Sequence, residues 1–151
     1  MRLLALLLCA CGSGITLPPV PPTTGPAELR AALDEARQAW ADAGVEPADV
    51  EQIAWADAER MPRVCGYGDG TPVQACATIG RIWVRVGLDR DARFVGIITH
   101  ELGHLTRDAH WGSARHLPCD STPGDALMCD GGSDEMVITD RDISYALGEP
   151  I

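Results

Sequence analysis

HELGHLTRDAH, residues 100–110, is the stretch around which this chain is organised. His100 and His104 are four residues apart, which places both imidazoles on one face of a helix, about one turn apart. Two imidazoles in that arrangement can bind a single metal ion, and Glu101 is then placed to take the proton of a water on that metal. A turn after the helix could bring His110 to the same ion. Three protein ligands and one open position are typical of a catalytic zinc site rather than a structural one.

A surface helix that carries two His and a Glu by chance is the alternative interpretation. The chain has only four histidines, and three of them lie in this stretch, the fourth being His116. This concentration favours metal binding.

The surroundings of the motif predict a buried helix. Asp89-Arg90-Asp91 can cap it, because short acidic side chains accept from the unpaired N–H groups of a first turn. We expect the helix to run from about Ala92 to Thr106. It is apolar around most of its circumference, and such a helix lies in a core. Its apolar residues are Phe94, Val95, Ile97, Ile98, Leu102 and Leu105.

Ile79 to Leu88 alternates and predicts a half-buried strand directly before that helix. Its pattern places Ile82, Val84 and Val86 on one face, and Arg81, Trp83 and Arg85 on the other.

The first half of the domain has a helix and a strand. Apolar residues at helical spacing predict an amphipathic helix in which Trp40 is a core anchor, with Pro26 in the first turn and Gly44 at the C-terminal stop. Val50 to Asp57 predicts a strand, and Glu59 to Thr78, rich in Gly and Pro, predicts a loop or an irregular hairpin. The apolar face of the helix comprises Leu29, Leu33, Ala36 and Trp40.

The N-terminus predicts export. Residues 1–10 have one positive charge followed by an apolar run too short to span a membrane, as in a signal peptide. Leu8-Cys9-Ala10-Cys11 resembles the lipobox of bacterial lipoproteins, which implies that Cys11 is lipidated and that residues 11–26 form a Pro-rich tether to a bacterial membrane. A cleaved signal without lipid, giving a secreted protein, is the alternative.

Length and charge limit the partners. The 151 residues suit one domain after the tether, residues 27–151, which we expect to be a monomer. The net charge of −10 argues against nucleic acid and against anionic membrane surfaces. Membrane contact is therefore expected only through the lipid anchor.

Four cysteines in the domain allow three pairings. We favour Cys65–Cys76 and Cys119–Cys129, because each pair is close in sequence and closes a loop that has little else to hold it. A Cys-rich metal site is the alternative, but the sequence has no CxxC pair and an exported chain meets an oxidising compartment.

HELGHLTRDAH resembles the metzincin signature HExxHxxGxxH, with His100, His104 and His110 as zinc ligands and Glu101 as general base. Asp125-Ala126-Leu127-Met128 resembles the Met-turn that lies under the zinc in this family. The segment from Thr139-Asp140-Arg141-Asp142-Ile143 to Leu147-Gly148 looks like the C-terminal helix of matrixin-type domains. The resemblance covers roughly residues 80–148.

The resemblance implies an α+β, zincin-like fold: a small twisted mixed sheet, an N-terminal helix, a buried active-site helix and a C-terminal helix. It also implies a zinc endopeptidase with one catalytic Zn²⁺ and a peptide substrate extended beside an edge strand. The stretch from Cys65 to Thr78 is a candidate for that edge. Trp111 either lines the cleft or packs in the core.

Arg107 stands where the signature has a Gly, and an Arg held at positive φ would cost about 1 kcal/mol. Either the turn is made differently or the third ligand is another residue, such as Glu135. Asp130 to Glu135 could bind Ca²⁺, although a solvated acidic loop explains the run better. Met128 could simply fill the core.

A non-catalytic lipoprotein module that keeps zinc for stability or partner binding is the alternative function. The intact Glu101 favours the enzyme, because a binding module has no need of that carboxylate.

Overall fold

The computed structural model describes residues 22–66, 73–89, 92–111, 127–128 and 137–149, without the side chains of residues 92 and 108–111. Within these ranges the chain is a small α+β fold with four helices and a three-stranded mixed sheet. The elements in chain order are α1 (Ala27–Asp42), β1 (Gln52–Ala56), α2 (Met61–Cys65), β2 (Ala75–Thr78), β3 (Arg81–Arg85), α3 (Ala92–Trp111) and α4 (Asp140–Ala146).

Helix α1 has the apolar face that the sequence predicts: its Leu29, Leu33, Ala36 and Trp40 are all fully buried. The indole N–H of Trp40 donates to the carbonyl oxygen of Thr99 in α3 at 2.9 Å, so this core anchor also joins the two helices. Pro26 lies at the N-cap, one position before the first turn. Gly44, at φ 82°, takes the left-handed conformation that ends the helix.

The sheet has the order β1-β3-β2, with β1 parallel and β2 antiparallel to β3. β1 lies within the predicted strand at Val50–Asp57. Thr24, in the predicted tether, forms a parallel bridge with Gln52, so the end of that tether lies against the sheet. β2 and β3 form a hairpin through a turn at Ile79–Gly80, where Gly80 has φ 67°.

The segment Glu59–Thr78, predicted as loop or irregular hairpin, contains both α2 and β2. These elements are five and four residues long, too short to be stable through local propensity alone. The predicted disulfide Cys65–Cys76 is present and joins the end of α2 to β2. This cross-link gives the two short elements a fixed separation.

The centre of strand β3, Ile82 to Val84, is buried on both faces rather than on one. Ile82 and Val84 are fully buried on the face towards the main core. Trp83, predicted on the open face, is only 7 % exposed because it packs with Met61 and Cys76 in a second cluster. Val86 was predicted on the buried face but is 57 % exposed, because the strand ends at Arg85.

Helix α3 is the centre of the fold and packs against α1, β2, β3 and α4. Its burial confirms the prediction, since Ile98 and Leu102 are fully buried. Its end was predicted wrongly: the helix continues past Thr106 to Trp111. Arg at position 107 favours the helix where a Gly would weaken it. The Arg107 guanidinium also donates to the carbonyl oxygen of Tyr145 at 2.8 Å, which ties this turn to α4.

Helix α4 confirms the predicted C-terminal helix. Thr139 caps it through a reciprocal capping box with Asp142.

Several predictions fall outside the described residues. They are the signal peptide at residues 1–10, lipidation of Cys11, the Cys119–Cys129 disulfide, the acidic run Asp130–Glu135, the cap at Arg90–Asp91, and the side chains of His110 and Trp111. Within the described ranges, no helix has the length and apolarity needed to cross a bilayer.

Candidate metal and catalytic site

The two imidazoles of the motif converge. His100 and His104 lie one turn apart on α3, and their Nε2 atoms are 3.0 Å from each other. Two imidazole nitrogens that bind one tetrahedral zinc at about 2.0–2.1 Å lie about 3.3 Å apart. The spacing of the pair is therefore close to that of two ligands on one tetrahedral zinc, and slightly shorter.

The opposite nitrogen of each ring has its own partner. His100 Nδ1–H donates to the carbonyl oxygen of Leu127 at 2.7 Å, and a carbonyl can only accept. In the neutral ring this leaves Nε2 unprotonated, as metal binding needs. His104 Nδ1 lies 2.9 Å from the hydroxyl oxygen of Tyr145, which can donate or accept. Outer hydrogen bonds of this kind are what orient metal-binding histidines in proteins.

A buried carboxylate fixes the turn that holds His100. The backbone N–H groups of Leu127 and Met128 donate to the two carboxylate oxygens of Asp142, at 3.0 and 2.7 Å. Asp142 is fully buried and also accepts from Thr139 at the start of α4. Helix α4 thereby positions Leu127, and Leu127 positions His100. The Thr-x-x-Asp capping pattern is a weak sequence signal for the role of Asp142 at the start of α4. The sequence does not show that Asp142 also bonds Leu127 and Met128.

Met128 lies under the motif helix. It is fully buried, and a Cβ added at Gly103 would overlap its Sδ atom and lie 2.7 Å from Cζ2 of Trp40. The Gly of HELGH therefore lets α3 approach both side chains, a role that the sequence did not reveal. The position of Met128 is compatible with a Met-turn and with core filling alike, so its role stays a prediction.

Glu101, the predicted general base, is 8 % exposed. Removal from water raises the pKa of its carboxyl group from 4.5 to about 8, and the hydrogen bond from the backbone N–H of Ala77 in β2 acts in the opposite direction. The metal-free site therefore holds a protonated Glu101 at neutral pH. A cation bound beside it would favour the carboxylate.

We expect the metal-free chain to lose stability as pH rises from about 4.5 to about 8, because folded Glu101 keeps a proton that the unfolded chain has released. The stabilising contribution of protonated Glu101 is complete below the pKa of the unfolded chain, 4.5, and is lost above the pKa of the folded chain, about 8. The free energy of unfolding, measured with urea in the presence of a chelator at several pH values, tests this pH dependence. Glu101→Gln is the control, since it keeps every other titrating group. Parallel pH profiles for the two chains would contradict the prediction.

The described side chains do not identify a third ligand for the proposed metal. Among the side chains that the structure describes, no group of three His, Cys, Asp or Glu could hold a metal. His110 lies on the continuous helix, six residues after His104, which corresponds to about 9 Å along the axis. The chain must leave the helix between these two residues for both to bind one ion. His110 as third ligand therefore stays a prediction.

Comparisons of the chain with protein-family models, curated proteins and solved structures gave no match. The metzincin resemblance therefore rests on the residues of the motif and their surroundings.

Proposed function

We propose that this chain is an exported zinc endopeptidase of the metzincin type, anchored by a lipid at Cys11. The main support is one observation: the Nε2 atoms of His100 and His104 meet at 3.0 Å, and Glu101, the residue after His100, is buried. A purely structural helix gains nothing from burying Glu101 and His104, with His100 partly buried next to them. Metal binding gives each of them a role.

Bound zinc would supply a Lewis acid that polarises a peptide carbonyl and makes water more acidic. His100 and His104 would hold the ion, with His110 as the proposed third ligand. Glu101 would accept the proton of the attacking water and deliver it to the leaving amine.

The position of β2 supports a peptide substrate. β2 lies at one edge of the sheet that the structure describes, and the N–H of its Ala77 donates to the carboxyl group of Glu101. A peptide added beside this edge would pair its backbone with a strand that contacts the general base. This supports a substrate track along the stretch from Cys65 to Thr78, the candidate edge named from the sequence.

The test uses the full chain. We expect one zinc per chain by metal analysis, and cleavage of an unfolded protein that stops with a chelator and returns with zinc. His100→Ala and His104→Ala should each lose both zinc and cleavage. Absence of bound zinc would refute the proposal, and bound zinc without cleavage of any unfolded protein would favour the non-catalytic module instead.

The third ligand is tested in the same assay. Loss of zinc in His110→Ala, with zinc retained in His116→Ala and Glu135→Ala, would support His110. Zinc retained in His110→Ala would exclude it.

A further inference from the structure

The two histidines of the site are held differently. His100 faces a carbonyl, which fixes its hydrogen on Nδ1. His104 faces the Tyr145 hydroxyl at 2.9 Å, and a hydroxyl accommodates either tautomer. The two rings therefore differ in whether a hydrogen has to move from one ring nitrogen to the other when metal binds.

In the metal-free chain one assignment of the hydrogens on two neutral rings gives each of the four ring nitrogens a hydrogen-bond partner. The Tyr145 hydroxyl donates to His104 Nδ1, His104 Nε2–H donates to His100 Nε2 at 3.0 Å, and His100 Nδ1–H donates to Leu127. Metal binding needs both Nε2 atoms unprotonated, so the hydrogen of His104 has to lie on Nδ1. The tyrosine hydroxyl must then rotate from donor to acceptor.

We propose that Tyr145 is a positioning residue that orients His104 in both states and lets it change tautomer when metal binds. The inference rests on the proposed zinc site. The phenol is well placed for this task, because Tyr145 is only 1 % exposed and lies on α4 rather than on the motif helix.

Arg107 completes the arrangement. Its guanidinium carbon lies 4.4 Å from the centre of the Tyr145 ring, and its Nη1 donates to the Tyr145 carbonyl oxygen at 2.8 Å. Cation–π stacking and a charge-assisted hydrogen bond thus hold both the ring and the backbone of one residue. Arg107, which stands where the metzincin signature has a Gly, therefore holds Tyr145, the hydrogen-bond partner of His104.

The test compares Tyr145→Phe with Ser144→Ala in the full chain. Tyr145→Phe removes the hydroxyl and keeps the ring that Arg107 contacts. Ser144→Ala removes a hydroxyl from the same helix that bonds only the exposed Glu149 in the described structure. Zinc affinity is measured by competition with a chelating dye. The ring tautomer of His104 is measured in the metal-free chain by nitrogen NMR.

We expect Tyr145→Phe to lower zinc affinity by roughly 10- to 100-fold, the usual cost of losing an outer hydrogen bond to a ligand. It should also give a mixture of His104 tautomers, whereas Ser144→Ala should leave both measurements unchanged. Equal zinc affinity in the two variants would overturn the role of Tyr145 alone. A lower affinity with an unchanged tautomer would also overturn it, since it would indicate a purely structural role. No zinc binding by the unsubstituted chain would refute the proposed function and this inference together.

Discussion

Glu101→Gln is expected to keep zinc bound and to slow peptide cleavage by roughly 100- to 10,000-fold, the range that a positioned general base contributes. Gln has nearly the same shape as Glu, and its amide oxygen can still accept the hydrogen bond from Ala77. The substitution therefore removes the proposed proton acceptor while it leaves the helix, the two imidazoles and their outer partners in place. Metal analysis and cleavage of an unfolded protein measure the two effects on one preparation.

Glu149→Gln is the matched control, because it makes the same chemical change at an exposed position at the end of α4. It should retain both zinc and cleavage. Full activity of Glu101→Gln would show that another group takes the proton. Loss of zinc in Glu101→Gln would show instead that the carboxyl group holds the metal or supports the fold, and the proposed role would be wrong.

The part of the site that could be predicted from the sequence is the part that depends only on the helical repeat. A spacing of four residues places His100 and His104 on one face whatever the rest of the chain does, and their Nε2 atoms do converge. The apolar face of α1 was predicted on the same basis, because it depends on spacing within one helix. The C-terminal helix was expected only from the resemblance to matrixin-type domains.

The rest depends on contacts that are distant in sequence. Tyr145 bonds His104 across 41 residues, and Asp142 bonds Leu127 across 15. Tyr145 belongs to no motif, and the capping pattern that contains Asp142 concerns only the start of α4, so no local pattern could show which nitrogen or turn these residues hold. The end of α3 was misjudged for a related reason. Arg107 was compared with a Gly of the signature, whereas its own contacts with α4 stabilise a longer helix.

Gly103→Val is expected to prevent the chain from folding to a stable state, and Gly103→Ala is expected to destabilise it more mildly. A Cβ at this position overlaps the sulfur of Met128 and lies 2.7 Å from Cζ2 of Trp40. Overpacking a core typically costs about 1–3 kcal/mol for a small addition, and the gain in helix propensity from Gly to Ala returns less than about 1 kcal/mol of that. Val adds two further carbons and a branched Cβ, in a domain whose total stability is of order 5–15 kcal/mol.

Urea unfolding of the metal-free chain measures these effects without any contribution from zinc, and a double-mutant cycle identifies their cause. Met128→Ala alone should destabilise the chain, yet it should recover part of the stability lost in Gly103→Ala, because it removes the side chain that the new methyl group meets. Gly44→Ala is the control: its Cβ meets no atom within 4 Å, so its cost comes from positive φ and should add to that of Met128→Ala without coupling. Additive effects of Gly103→Ala and Met128→Ala would mean that α3 does not rest on Met128, and that the turn at Leu127–Met128 supports the motif through His100 alone.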